Sequence, residues 1–302
     1  MIMTDPSQPP DPVDLRRASD DGDAEAAHRL AVLAAVGFRM PPDWTLALGQ
    51  LARAAALGSG TARDQLAVLA PDAGPVAAGR DDAAAWDQAA RAVDLASWLA
   101  PPRPMMISPG PHVLSIPGFL PPAACDWIIQ RASERVGPAE VYDPATGLGR
   151  REGARTNSAC AFDLWSLDLV MVLLRERVIR VTGLPAHGLE PLQVLRYDTG
   201  ETFDWHVDYL TPDQPGLAED MARKGQRIAT LLVYLNEDYE GGETAFESTG
   251  LRHRGARGDA LMWANTLPDG RVDTRTRHAG LPPVKGVKWV ASQWCRSGPP
   301  RR

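Results

Sequence analysis

The chain has 302 residues, 44% of them hydrophobic, and a formal net charge of −6. That length allows one large core with an appendage, and the acidic balance without any Lys/Arg-rich block argues against nucleic acid or an anionic membrane as partner. Cys125, Cys160 and Cys295 match no zinc spacing and cannot all pair in one chain; with no signal-peptide pattern and no membrane-length apolar run, a soluble, cytoplasmic protein is expected.

Residues 1–19 open with Pro6, Pro9, Pro10 and Pro12 among polar neighbours and are expected to form a disordered leader. From Asp20 the texture becomes helical. Leu30-Ala-Val-Leu-Ala34 recurs as Leu66-Ala-Val-Leu-Ala70, an offset of 36 residues that Gly22 and Gly58 share, and such a period indicates a repeated helix pair. Asp43 caps an intervening helix whose Leu48, Leu51, Ala52 and Ala55 share one face, and Asp81 to Leu99 reads as helical, with Trp86, Ala90, Val93 and Trp98 as its apolar positions. The Gly22-Asp-Ala24 start, the Leu-Ala-x-Leu core and the Asp-Trp-x-x-Ala-Leu start resemble Sel1-like, tetratricopeptide-type repeats. Residues 20–100 are therefore expected to be a helical repeat region able to engage a protein partner; a chance-similar helical extension is the alternative.

Pro101, Pro102 and Pro104 break this texture. Beyond them, β-type runs are expected at Val113–Ile116, Gln193–Tyr197, Ile228–Leu235, Ala260–Trp263 and Trp289–Trp294, separated by Gly, Pro and Asp. Helices are expected near Pro122–Val136 and Leu164–Val181, the second with Leu167, Val170, Leu174 and Val178 as an apolar stripe. The expected fold class is α+β: a double-stranded β-helix, or jelly roll, with supporting helices over 105–298 and a core at 188–297, behind the small helical region.

His206 and Asp208 stand two apart, so on a strand both side chains leave from one face. Seventy residues later His278 precedes Lys288 by ten. Two imidazoles and one carboxylate make the facial triad of non-haem Fe(II) oxygenases, with three coordination positions left open. A 2-oxo acid can chelate iron there, and its far carboxylate needs a cation, for which Lys288 is the candidate. Lys285 competes for that role but falls in a turn-forming Pro-Pro-Val-Lys-Gly segment. His28, His112, His187 and His253 stand in no ligand spacing.

The ordered segments Arg155-Thr-Asn-Ser158, Gln193–Tyr197, His206-Val-Asp-Tyr209, Gly225–Thr230, Gly241-Gly-Glu-Thr-Ala-Phe246, Gly258–Leu261, Pro268-Asp-Gly270, His278-Ala-Gly280 and Gly286-Val-Lys-Trp289 resemble the catalytic domain of collagen-type prolyl 4-hydroxylases over about Ile107–Cys295. The resemblance implies iron at His206, Asp208 and His278, and 2-oxoglutarate at Lys288. It implies that Tyr197 and Tyr234 hydrogen-bond this co-substrate while Ser292 and Trp294 line its pocket. It further implies hydroxylation of a prolyl residue in a peptide or protein, with O2 consumed, succinate and CO2 released, and ascorbate as a candidate reductant.

Arg155 and Tyr209 are candidate substrate contacts, a structural ion pair being the alternative for Arg155. The stretch 137–155 is a candidate substrate lid, Thr211–Lys224 a second mobile segment, and Gly241-Gly242 a simple bend. The same iron chemistry on a small molecule or free amino acid, and a repeat-based scaffold with an accessory oxygenase domain, are the competing functions.

Overall fold

An aspartate ahead of a proline starts a helix where a disordered leader is expected. The computed structural model describes residues 11–73, 82–139, 141–143, 148–150, 153–213 and 215–298. Asp11 accepts a hydrogen bond from the Val13 amide, Pro12 takes the first helical position, and helix α1 runs Pro12–Asp20. Leu15 is buried against Ala26, Leu30 and Leu33, worth roughly 1.5–3 kcal/mol for a leucine taken fully out of water. The leader expectation thus fails from residue 12 on, because one apolar contact and a good cap outweigh the polar composition; residues 1–10 lie outside the described residues.

The chain divides into two compact units, one of Met1–Leu99 with Leu164–Leu174 and one of Ala100–Asp163 with Arg175–Arg302. In the first, α2 (Ala24–Val36), α3 (Trp44–Ala56), α4 (Gly60–Leu69), α5 (Ala83–Arg91) and α6 (Leu95–Leu99) follow α1. Side chains of Asp23, Asp43, Ser59 and Asp82 cap α2 to α5. The 36-residue period has a backbone counterpart: Gly22 and Gly58 adopt nearly equal positive φ, 98° and 101°, ahead of α2 and α4, with open space where a Cβ would go. Glycine is thus required there for conformation, not for room. Trp86, Ala90, Val93 and Trp98 are all buried, and the Trp98 indole donates to the Leu69 carbonyl at 3.1 Å. This unit also takes in Leu164–Leu174, which the sequence pattern assigns to the sheet domain: Trp165 meets Phe38 edge-on and the Leu169 amide donates to Gln65 Oε1 at 2.9 Å.

The second unit is mostly antiparallel sheet. Its strands are β1 (Met105–Pro109), β2 (His112–Ile116), β3 (Gly137–Pro138), β4 (Val141–Asp143), β5 (Leu148–Arg150), β6 (Ser158–Phe162), β7 (Leu192–Tyr197), β8 (Phe203–His206), β9 (Arg227–Tyr234), β10 (Glu240–Gly241), β11 (Thr244–Phe246), β12 (Arg252–His253), β13 (Ala260–Ala264), β14 (His278–Gly280), β15 (Pro283–Lys285) and β16 (Lys288–Arg296). Helices α7 (Pro122–Ser133) and α9 (Pro215–Lys224) interrupt them, as does α8 (Leu169–Thr182), whose Leu169–Leu174 part falls in the first unit.

One sheet runs β1-β2-β13-β9-β16-β7-β6-β3 and a second β12-β11-β14-β8. Val113, Leu195, Leu232, Leu261, Trp263 and Val290 of the large sheet and Phe246 of the small one share a core cluster, as expected of a jelly roll whose strands alternate inward and outward residues. β16 is unbroken from Lys288 to Arg296 between β9 and β7, so Lys288, Val290, Ser292 and Trp294 share one face.

Three local expectations change. The proposed lid holds a hairpin of β4 and β5, while residues 140, 144–147 and 151–152 lie outside the described residues. The mobile segment after the triad contains α9, a ten-residue amphipathic helix whose Asp220 and Lys224 pair at 3.0 Å one turn apart. Gly242 does more than bend the chain, since a Cβ there would lie 3.0 Å from the Tyr239 ring and 3.3 Å from Lys288 Cδ.

Candidate metal centre and its cavity

β8 ends at His206, Asp208 follows it, and β14 begins at His278, which stands directly opposite His206 in the β8–β14 ladder. The pairing closes the seventy-residue gap, and ligand-capable atoms of His206, Asp208 and His278 all lie within 4.8 Å of one another. The two Asp208 oxygens divide between the imidazoles: Oδ1 is 3.7 Å from His206 Nε2 and Oδ2 is 3.6 Å from His278 Nε2. Among the described residues no other such group of three exists.

The hydrogen-bond pattern fixes which nitrogen is free. His206 Nδ1 lies 2.7 Å from the Asp204 carbonyl oxygen and His278 Nδ1 lies 2.9 Å from that of Thr276. A carbonyl oxygen only accepts, so each Nδ1 carries the proton and each Nε2 turns a lone pair toward Asp208. Burial, with the neighbouring His278, pushes the His206 imidazole down to about 3 against the pull of Asp208, so it stays neutral and able to ligate at ordinary pH. Burial alone would raise the Asp208 carboxyl; the two imidazoles and the Thr230 hydroxyl overcome it and hold the group below the usual carboxylate range.

Behind Asp208 stands a chain that spacing does not reveal. Thr230 Oγ1 donates to Asp208 Oδ2 at 2.7 Å and accepts from Asn265 Nδ2 at 2.9 Å, and all three residues are buried. His206 is held by stacking instead. Phe203 lies flat on its ring at 3.5 Å and 11°, and the Arg155 guanidinium lies over Phe203 at 4.6 Å.

The triad opens on a narrow cavity that Arg155, Tyr197, Thr244, Lys288, Ser292 and Trp294 also line. Lys288 is 1% exposed, its Nζ 5.0 Å from the Tyr197 ring centroid and 5.9 Å from that of Tyr234. No described carboxylate pairs with it in an ion pair, and burial pushes its ammonium down to about 8 with only Glu243 opposing. Lys285 is exposed instead, paired with Glu240 at 2.9 Å. A cavity with two imidazoles and a carboxylate at one end and a buried cation at the other matches in charge a divalent metal bound beside an anionic chelator.

A sequence model of the 2OG-Fe(II) oxygenase superfamily matches residues 192–296, the span that carries all three triad residues and Lys288. Prolyl 4-hydroxylase 1 of Arabidopsis thaliana is 30% identical over 208 residues, 64% of this chain and 72% of its own length. The chain belongs to the prolyl 4-hydroxylase family of 2OG-Fe(II) oxygenases. The rat prolyl 4-hydroxylase subunit alpha-1 is likewise 30% identical, over 184 residues that cover 61% of this chain and 34% of the rat protein. A viral collagen prolyl hydroxylase of Paramecium Bursaria Chlorella virus-1, solved with 2-oxoglutarate, is 26% identical with a TM-score of 0.47, covering 60% of this chain and 94% of the viral one. As a 2OG-Fe(II) oxygenase of the prolyl 4-hydroxylase family, the protein uses Fe(II), 2-oxoglutarate and O2.

Within this oxygenase the sequence-derived residues do not all meet. Tyr197, Ser292, Trp294 and Arg155 reach the cavity with Lys288, whereas Tyr234 is not among its lining residues. Its hydroxyl is 3.1 Å from Thr244 Oγ1 and donates to the His253 carbonyl at 3.2 Å, so Thr244 takes the lining position and Tyr234 supports it. Tyr209 lines a different, larger cavity on the α9 side of Asp208. Thr230 and Leu232, two apart on β9, show the alternation that could have found Thr230; nothing in the sequence signals Asn265.

Proposed function

We propose that this protein hydroxylates a prolyl residue of a peptide or protein, with His206, Asp208 and His278 holding the iron and Lys288 pairing with the far carboxylate of 2-oxoglutarate. The observation that carries the reading is one narrow cavity joining three converging ligand atoms to a buried ammonium that no described carboxylate holds in an ion pair. Iron, when bound, supplies the oxygen activation that lets a 2-oxo acid be decarboxylated and a C–H bond be hydroxylated. The chain's own residues set the conditions. The Asp204 and Thr276 carbonyls take up both Nδ1–H groups and orient each Nε2 toward Asp208, Thr230 holds the Asp208 carboxylate in place, and Trp263, Leu195, Leu232 and Val290 keep the cavity apolar between its polar ends. Tyr197, whose phenol burial raises to about 12, stays protonated and can donate to a co-substrate oxygen, with Ser292 and Trp294 beside it.

The substrate assignment is supported by the prolyl 4-hydroxylase relatives. Residues 20–100 are read as Sel1-like repeats that present a surface to a protein partner, a reading supported by the matched backbone at Gly22 and Gly58. Free cysteines at 125, 160 and 295 are consistent with a reducing, cytoplasmic setting, and ascorbate is the proposed reductant. Among the described residues no helix is long and apolar enough to cross a membrane.

The test is anaerobic loading with Fe(II) and 2-oxoglutarate, followed by oxygen-dependent succinate formation with proline peptides. The expected result is peptide-dependent succinate together with a product one oxygen atom heavier than the peptide. Wild-type succinate no higher than that of His206→Ala with every peptide tried sinks the proposal.

A further inference from the structure

The larger cavity beside the metal centre is not used by the reading above. It measures about 670 Å³, and Tyr209, Arg223, Lys224, Arg227, Glu190 and Asp220 stand on its walls, while Asp208 lines both it and the inner cavity. Its size is that of a site for a side chain or a short peptide segment. Its walls come from the segment just after the triad, from α9 and from the start of β9, so whatever fills it sits directly beside the reacting centre.

The charge of that wall can be counted. Glu190 uses both oxygens on Arg227, at 2.7 and 2.9 Å, and also has Arg296 Nη1 at 3.5 Å. Asp220 is paired with Lys224 at 3.0 Å and with Arg296. Asp208 belongs to the triad. The two remaining carboxylates are thus shared among Arg227, Arg296 and Lys224, with Arg223 left over. Arg296, 2% exposed, stands behind the wall and takes up part of the charge of both carboxylates. Arg223, exposed on the last turn of α9, makes no ion pair with a described residue. Arg227 also stacks on Trp294 at 3.8 Å, and Trp294 lines the inner cavity, so the cationic wall is held rigidly against the co-substrate site.

We infer that this cavity is a specificity site for an acidic side chain flanking the target residue of the substrate, with Arg223 as its principal charge contact and Tyr209 as its apolar wall. The inference rests on the peptide-substrate reading of the preceding subsection. A carboxylate entering there meets Arg223, the lining cation left without an ion pair among the described residues, whereas a lysine or arginine meets like charge.

The test uses the full chain and fluorescent peptides with a central proline, in which aspartate, asparagine or lysine is placed in turn at each flanking position. Binding is read by anisotropy under anaerobic conditions, and succinate formation is measured in parallel. At one flanking position aspartate should bind about tenfold tighter than asparagine, as one charge-assisted contact allows. That preference should fall to about unity in Arg223→Gln and turn toward lysine in Arg223→Glu. Equal binding of the aspartate and asparagine peptides at every position overturns the inference, as does a preference unchanged in Arg223→Gln or no binding of any peptide. Loss of the prolyl reading shows separately, as succinate formation that is absent or indifferent to replacing the central proline, because the anisotropy comparison needs no turnover.

Discussion

The inner cavity has two polar ends built on opposite electrostatic plans. At the triad the ligand side chains are held by hydrogen bonds: both Nδ1 atoms donate to carbonyls, and Asp208 is held by Thr230, itself held by Asn265. At the other end Lys288 is buried to 1% exposure beside two tyrosine rings, with no described carboxylate in ion-pair reach. The first plan fixes geometry before the ligand arrives, so binding costs little reorganisation. The second leaves a charge deficit that only an incoming anion cancels, so folding bears a cost that binding recovers. One end is preorganised by satisfied bonds and the other by an unsatisfied one, and substitutions should separate them.

The largest effect is expected at the triad. His278→Ala removes a ligand whose register partner is His206, and should lower turnover by at least about a thousandfold, as loss of an essential catalytic group does. Iron binding, followed by calorimetry or by protection against thermal unfolding, should fall with it. Full iron affinity in both His278→Ala and His206→Ala would remove the triad assignment.

Lys288→Met should invert the usual link between function and stability. Affinity for 2-oxoglutarate should drop about a hundredfold, since a charge-assisted contact of roughly 3 kcal/mol is lost. The ligand-free protein should at the same time become more stable, by about 1–3 kcal/mol, because an unpaired buried charge gives way to an apolar side chain of similar length. Thermal melts with and without 2-oxoglutarate read both. A variant less stable than wild type in the ligand-free state would mean that Lys288 has a counter-charge in the folded protein.

How far these two ends could be read from the sequence differs for the same reason. His206-x-Asp208 on a strand and Lys288, Ser292 and Trp294 at even spacing are statements about faces, and period-two alternation carries them faithfully into the fold. β2, β7, β9, β13 and β16 were legible from their β-type runs, whereas β1 and β6, five residues each, were not. Alternation does not say how far along a strand the cavity reaches, which is why Thr230, Leu232 and Tyr234 share a face while the Tyr234 hydroxyl donates to the His253 carbonyl and meets Thr244 Oγ1. Asn265 is 35 residues from Thr230 and on another strand's end, so only the β9–β13 register brings them together. α1 and α9 were missed because their polar composition hides an amphipathic pattern behind the loop-like residues that precede each helix.

Thr230→Val tests the satisfied end more gently. It keeps the β-branched shape and removes the donor to Asp208 Oδ2, and metal affinity should fall between about tenfold and a hundredfold, the usual cost of losing a partner behind a ligand. Affinity for 2-oxoglutarate measured at saturating metal should change far less, and Thr230→Ser should recover most of the loss. Equal losses in the serine and valine variants would assign the effect to packing and not to the hydrogen bond.

The smallest effect is the pH dependence of the unsatisfied end, and its sign is specific. Burial brings the Lys288 ammonium from its ordinary value of 10.5 down to about 8 in the ligand-free fold. Between those values the unfolded chain holds a proton that the folded chain has lost, so the ligand-free protein should gain stability as pH rises from about 8 to 10.5, by up to roughly 3 kcal/mol from this group. A bound carboxylate favours the charged amine and raises its pKa again, so 2-oxoglutarate binding should be strongest below pH 8 and weaken above it, approaching tenfold per pH unit, with proton uptake on binding. Calorimetry in buffers of different ionisation enthalpy measures that uptake. Neither His206, neutral from about pH 3 upward, nor Tyr197, which keeps its proton to about 12, should contribute to the alkaline limb. An alkaline fall in affinity that survives in Lys288→Met would therefore have to come from a group outside both ends of the cavity.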